Sequence, residues 1–244
     1  MAKSQSFFLV TRALPQAKET AEKLEKMGIK TLVEPCIRIQ FNYQQESISF
    51  KKNTIIIVTS KNGAEAFAMA CSNHNFRIIT VGRKAQDFLC SKGFSQVIHS
   101  AKHMNDLLKY IKLNFVPRED EFIYFRARHV AKNLKSALPD HHFREVISYE
   151  AVAKTNFSKV LIELIKEGKI NGLLLYSART AKIFAELAEK AGISKFLDKM
   201  IIFCLSPSLV EVCRAIPHRE IFTAATPTEN SLLKLVKKYV DNSR

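Results

Sequence analysis

Two kinds of segment are each written twice in this chain, and that duplication limits what it can fold into more than its composition does. IIIVTSKNGAEAF (Ile55 to Phe67) sets four apolar residues ahead of Thr59, Ser60, Lys61, Asn62 and Gly63, then spaces alanines and Phe67 at helical intervals. LLLYSARTAKIF (Leu173 to Phe184) follows the same plan, with Ser177 on Ser60, Ala181 on Ala64 and Phe184 on Phe67 at an offset of 117 (177 − 60). A buried strand, a polar turn and a helix satisfy both. LVTRALPQAK (Leu9 to Lys18) and IYFRARHVAK (Ile123 to Lys132) align without a gap at an offset of 114 (126 − 12). Arg126 falls on Arg12, Ala127 on Ala13, Ala131 on Ala17 and Lys132 on Lys18, and the same offset carries Leu138 onto Leu24 and Ile147 onto Val33. The chain therefore reads A, B, A′, B′, where A is two strands around a helix and B is three strand-helix units.

Strand and helix alternate along the whole length. Phe7 to Thr11 reads as a buried strand, and a helix runs from near Pro15 to Gly28 with Ala17, Ala21, Leu24 and Met27 as its apolar stripe. A second strand, Thr31 to Val33, is expected to run on through Pro35 to Ile39. Further strands are expected at Ile55 to Ser60, Arg77 to Gly82, Gln96 to Ser100, Glu121 to Arg126, Arg144 to Glu150, Gly172 to Ser177, Met200 to Ser206 and Glu220 to Ala225. A helix at Asn105 to Lys112 follows the third of these, and the last helix is expected to be capped by Thr226, with Pro227 in its first position and Glu229 three residues after the cap. This alternation argues for an α/β protein with parallel sheets covered on both faces. Each A plus B completes a five-stranded, doubly wound, flavodoxin-like sheet. Two pairings satisfy the repeat: consecutive halves, or B with A′ as a contiguous middle domain. The polar stretches Arg38 to Lys52 and Ala151 to Asn156 read as connectors and fall after A and after A′, which favours the second. The expected organisation is a discontinuous domain of residues 1–37 plus 155–244, connectors at 38–51 and 151–156, and a middle domain at 52–150.

With 244 residues and 47% hydrophobic content the chain can bury real cores. Its 38 Lys and Arg against 23 Asp and Glu give a net charge of +15, which calls for an anionic partner without choosing among nucleic acid, acidic membrane and polycarboxylate. Five scattered cysteines with no CxxC encode neither a disulfide framework nor a zinc site and suit a reducing cytoplasm. Six residues precede the first apolar run, too few for a signal peptide, and no apolar stretch approaches a membrane span, so a soluble protein is expected. There is no GxGxxG after a strand, no GxxxxGK[ST] and no GxSxG. His99 and His103 have ligand-like spacing but no carboxylate or cysteine completes a metal site, and His141 and His142 read as a solvated turn beside Pro139 and Asp140. RNA binding would need aromatics on an exposed sheet, whereas these lie in apolar strands and tryptophan is absent.

In open parallel sheets the ligand lies beyond the carboxyl ends of the strands. The residues leaving the strands here are hydroxyls and cations at nearly every turn: Arg12, Ser60, Lys61, Arg83, Lys84, Arg126, Arg128, Ser177, Arg179, Ser206, Ser208 and Thr226 to Thr228. Two such rims turned toward a common cleft would suit a ligand with several carboxylates or phosphates.

The succession LVTRALPQAKETAEKLEKMG, IIIVTSKNGAEAF, ITVGRKAQDFL, VISYEAV, LLLYSARTAKIF and TPTENSLL resembles the uroporphyrinogen-III synthase family, in that family's order and over nearly the whole chain. The resemblance implies two α/β domains joined by a two-stranded connector, an active site in the cleft, and no metal or organic cofactor. It implies one substrate, hydroxymethylbilane, a linear polycarboxylate tetrapyrrole that is cyclised to uroporphyrinogen III with loss of water and inversion of ring D. A cytoplasmic monomer is the expectation, without nucleic-acid or membrane partners. By position, the resemblance puts the assisting acid on Tyr149, and substrate contacts are expected from Ser60, Lys61, Asn62, Gly82, Arg83, Lys84, Arg126, Ser177, Ser208 and Thr228. Two departures stand out. Gly82 is followed by Arg83, Lys84 and Ala85 where many members carry a threonine, and Ser206, Pro207, Ser208 and Leu209 stand where many have GPTT. The reading from a different class is a non-enzymatic two-domain anion-binding or sensor protein.

Overall fold

In a computed structural model, which describes residues 6–42, 48–51, 53–130 and 133–243, the chain divides into two units, residues 1–38 with 152–244 and residues 39–151. In chain order the first elements are β1 (Phe7–Val10), α1 (Gln16–Lys26), β2 (Thr31–Val33), β3 (Ile37–Phe41), β4 (Thr54–Val58), α2 (Lys61–Ala70), β5 (Arg77–Val81), α3 (Arg83–Ser91), β6 (Val97–Ala101), α4 (Met104–Asn114) and β7 (Glu121–Ala127). They are followed by α5 (Leu134–Ala137), β8 (His142–Ala153), α6 (Lys159–Lys166), β9 (Ile170–Leu175), α7 (Ala178–Lys190), β10 (Ile201–Cys204), α8 (Val210–Cys213), β11 (Glu220–Thr223) and α9 (Glu229–Asn242).

The sheet of the discontinuous unit has the order β2-β1-β9-β10-β11, with every pair parallel. The second sheet runs β3-β8-β7-β4-β5-β6, and its pairs from β8 to β6 are parallel as well. Leaving out β3, both orders are A and B strands in the same arrangement, the flavodoxin-like doubly wound order. One repeat thus builds both units, with A supplied from before B′ in one and from after B in the other. The strands β3 and β8 cross from unit to unit as a two-stranded connector.

Side chains alternate between the faces of each sheet, as the period of two requires. In the discontinuous unit Leu9, Leu173, Leu175 and Ile202 pack under α6 and α7, while Phe8, Val10, Leu174 and Phe203 pack under α1 and α9. In the other unit Ile55, Ile57, Phe122 and Tyr124 face α4 and α5, and Ile56, Val58, Ile123 and Phe125 face α2 and α3. Phe67 touches Phe76, Phe94 and Phe125 with ring centroids 6.3, 5.0 and 5.1 Å away. Truncating such a fully buried ring costs about 3–5 kcal/mol.

Several sequence expectations are corrected. The second strand is not continuous to Ile39: β2 and β3 belong to different sheets. Pro35 marks the break and loses nothing by lacking an N–H, because the chain still bonds to β1 on either side of it, through Glu34 N to Val10 O (3.0 Å) and Cys36 N to Thr11 O (2.9 Å). Residues 37–41, expected in part as connector, form β3. β8 likewise does not stop at Glu150 but runs to Ala153. The helix of A′ is a single turn, α5, whose Asn133 cap and Pro139 leave no room for a copy of α1. The cap of α9 is Thr228, whose side chain accepts from Ser231 N, and not Thr226. His141 is no solvated loop residue but lies half-buried against Phe122 and Phe143. His103 caps α4 by accepting Asp106 N–H, and His99 stacks on Tyr110 at 3.8 Å. Lys52, Ala131, Lys132 and the middle of the first connector (residues 43–47) lie outside the described residues.

Candidate active site

Parallel strands end at one edge of their sheet, so each unit gathers its turn residues into a single rim. In the unit of residues 39–151 this rim holds Ser60 to Asn62 after β4, Gly82 to Lys84 after β5, Arg126 near the end of β7 and Tyr149 on β8. Ser60 is the N-cap of α2 and its Oγ accepts the Gly63 N–H at 3.0 Å. The same oxygen lies 2.7 Å from Tyr149 Oη. The neighbouring pair, Thr59 Oγ1 and Tyr124 Oη, is 2.9 Å apart, and burial pushes the Tyr124 phenol up against the opposing pull of that hydrogen bond.

The aim of Tyr149 is set by a β-bulge. Arg126 pairs with Ile147 but Ala127 pairs with Tyr149, so Ser148 is an extra residue on β8. Its side chain donates to Arg126 O (3.3 Å), while Tyr149 O accepts Arg128 N–H at 2.9 Å and the ring sits 6.3 Å from that of Phe41. Tyr149 is 9% exposed.

The cations of this rim differ in how far they face solvent. Arg83 and Lys84 begin α3 and are exposed, with Asp87 only 4.0 Å from Arg83. Gly82, at φ +80, turns the chain into that helix in a conformation other residues resist. Lys61, half-buried, holds its Nζ 5.9 Å from the Phe88 ring centroid, and Asn62 is half-buried beside it. Arg126 is committed inward: it pairs with Glu145 at 3.0 Å and donates to the carbonyls of Ala127 (2.9 Å) and Arg128 (3.2 Å).

In the discontinuous unit the rim holds Ser177, Ser208, Thr228 and Arg12. Ser177 caps α7, accepting Thr180 N–H at 3.2 Å with its hydroxyl 2.8 Å from Thr180 Oγ1. Ser208 and Thr228 are exposed, each paired with a neighbouring hydroxyl, Ser206 at 2.9 Å and Thr226 at 3.2 Å. Glu229, expected as a capping glutamate, instead accepts from Arg12 Nη1 (2.8 Å), Thr20 Oγ1 (2.6 Å) and Lys23 Nζ. Burial works to raise its carboxyl, and these donors outweigh burial and hold it below the ordinary value. Arg12 lies 4.3 Å over the Tyr176 ring, whose phenol burial pushes up. Sequence reasoning misses Glu145 and Glu229 as site partners, because their roles depend on strand register and on a contact across more than 200 residues.

Among the described residues no group of His, Cys, Asp and Glu is arranged to hold a metal ion, and no helix is long and apolar enough to cross a membrane. The chemistry available is that of hydroxyls, backbone N–H groups, cations and phenols at strand ends, groups of a kind suited to holding anions and delivering a proton.

A sequence profile of the family described as Uroporphyrinogen-III synthase HemD matches residues 18–234. The chain belongs to the uroporphyrinogen-III synthase family. No curated protein sequence matches it closely enough to be counted a relative. Among solved structures it is similar to a mutant uroporphyrinogen III synthase from the extreme thermophile Thermus thermophilus, with 13% identity and a TM-score of 0.50 over 97% of this chain and 100% of that one. The wild-type enzyme of the same bacterium, in another crystal form, gives 14% identity and a TM-score of 0.43 over 98% and 99%. The first likeness concerns the fold, two doubly wound α/β units. At the two places where the sequence departs from the pattern of uroporphyrinogen-III synthases, Arg83 and Lys84 after Gly82 and Ser208 are exposed.

Proposed function

We propose that this chain closes hydroxymethylbilane to uroporphyrinogen III, with loss of water and inversion of ring D, in the tetrapyrrole pathway to heme. The observation that carries this reading is the family match across residues 18–234. The residues supply a fitting chemistry. Departure of the terminal hydroxyl is a proton-assisted C–O cleavage. Electrons from the ring A nitrogen satisfy the carbon, a protonated azafulvene that keeps its N–H forms, and the leaving oxygen takes a proton to become water. Tyr149 is the donor, and its phenolate recovers a proton when the closed macrocycle regains aromatic pyrroles. Ring D attacks through its substituted carbon, passes through a spiro-pyrrolenine and rearranges.

The uncatalysed bilane closes without inversion, so the main contribution is to hold a flexible chain in one geometry. Lys61, Asn62, Gly82, Arg83, Lys84, Ser177, Ser208 and Thr228 are the proposed contacts for its carboxylates. Helix N-termini, hydroxyls and ammonium or guanidinium groups all favour anions. Arg126, turned to Glu145, contributes to the same rim as a structural cation. The same reading makes the chain a cytoplasmic monomer acting on a small molecule without a cofactor or nucleic acid, and free thiols at all five cysteines favour a reducing compartment. The test is incubation with freshly made hydroxymethylbilane followed by chromatography of the oxidised porphyrins. The type III isomer supports the proposal, and type I alone overturns it.

A further inference from the structure

The repeat provides an internal control for the Ser60–Tyr149 contact. Ser60 and Ser177 are equivalent caps, but the third helical position is Gly63 in one copy and Thr180 in the other. Thr180 Oγ1, 2.8 Å from Ser177 Oγ, engages that serine within its own helical turn. Gly63 has no side chain to do so, and a Cβ there would sit 3.0 Å from Phe125 O and 3.3 Å from Ser60 Oγ. The Ser60 hydroxyl is left to face another element, and the atom it meets is Tyr149 Oη. In the sequence Tyr149 falls on Pro35 at the other offset (149 − 114), the ladder registers shift that match by about two residues, and no tyrosine lies anywhere in residues 31–39, so the discontinuous unit has neither the phenol nor the freed hydroxyl. The pair is a specialisation of one copy.

We propose that Ser60 is a positioning residue for the dehydration step: its hydroxyl donates to Tyr149 Oη, so that the tyrosine's own proton is the one offered to the departing hydroxide. This rests on the reading of Tyr149 as the acid. Ser60 Oγ already accepts the Gly63 N–H, at the positive end of α2. When the Tyr149 O–H bond breaks and its proton joins the leaving oxygen, the phenolate becomes purely an acceptor. The Ser60 O–H, 2.7 Å away, is the donor in reach, and the helix N–H polarises it further. Both partners of the Ser60 hydroxyl lie within the protein, which assigns it to the tyrosine and not to the bilane.

The test is Ser60→Ala, Ser60→Gly and Ser60→Thr, each in the natural chain and in a Tyr149→Phe background, with kcat and KM for hydroxymethylbilane and a thermal melt. Glycine is nearly as good a helix cap as serine, so Ser60→Gly keeps the fold while removing the hydroxyl. Expected are a roughly tenfold fall in kcat for Ala and Gly with KM within about twofold, the weight of one hydrogen bond to a charged group. Thr should restore most of the rate. In the Tyr149→Phe background the Ala and Gly changes should alter kcat by less than about twofold, because nothing is left for Ser60 to act on. An equal fall in both backgrounds, or a raised KM with kcat intact, overturns the proposal. If the natural chain makes no type III isomer, the family reading fails instead, and the two failures are distinguishable.

Discussion

Arg126 Nη2 lies 3.0 Å from Glu145 Oε2, with the two side chains 15% and 19% exposed. The pair gives one of the rim's expected substrate cations a partner within the chain. Glu145→Gln leaves a largely buried guanidinium uncompensated and should lower stability by about 1–3 kcal/mol, below the full cost of breaking a completely buried pair. A denaturant titration measures it, and Arg126→Ala should lose a similar amount, with the double variant losing little more than either single change because both break the same pair.

Arg83 and Lys84 are exposed cations of the same rim. The double change to Ala should raise KM for the bilane by about three- to tenfold at low salt with kcat nearly unchanged, since charges this exposed assist capture of an anion more than its chemistry. Repeating the titration at high ionic strength should shrink the difference between natural chain and variant. A kcat effect that salt does not touch would move these residues into the reacting geometry.

Glu229 links acid stability to the other rim. Its carboxyl is held below the ordinary value of 4.5 by Lys23, Thr20 and Arg12, which outweigh its burial. A folded-state value below the unfolded one gives stability that is present above pH 4.5 and is lost as pH falls through the folded value. Melting temperatures of the natural chain and Glu229→Gln should differ by a few degrees near neutrality, a loss of about 1 kcal/mol, and converge as pH falls through the lowered folded-state value.

Thiol chemistry should find one site first. Cys36, Cys71, Cys204 and Cys213 are buried and Cys90 is exposed. Burial, reinforced by Glu34 and opposed by Lys154, pushes the Cys36 thiol up to about 12. Alkylation of the native protein at about pH 8, just below the ordinary thiol range, should label Cys90 well before the others, as read by peptide mass spectrometry.

What is legible in the residues, and what is not, follows from what each feature depends on. Strand-turn-helix units are local, and the apolar runs before Ser60 and Ser177, with polar caps behind them, announce buried parallel strands without any knowledge of partners. The order A, B, A′, B′ likewise survives because repetition is visible in one dimension. What is lost depends on register and non-local contact. The Ser148 bulge that aims Tyr149 has no signature in VISYEA, and the Glu145 and Glu229 partners follow from strands and helices brought side by side. Pro35 reads through as strand because its missing N–H costs nothing at that position. A full helix is expected at α5 because repetition points past the place where Asn133 and Pro139 confine it to one turn.

The most direct measurement is the isomer ratio of uroporphyrinogen formed from hydroxymethylbilane at protein concentrations far below substrate, where every product molecule beyond the first few reports turnover. The account predicts that the type III share rises toward completion as protein is added and that the spontaneous type I product is suppressed in proportion. A product that stays type I at every protein concentration, from folded protein, would contradict it.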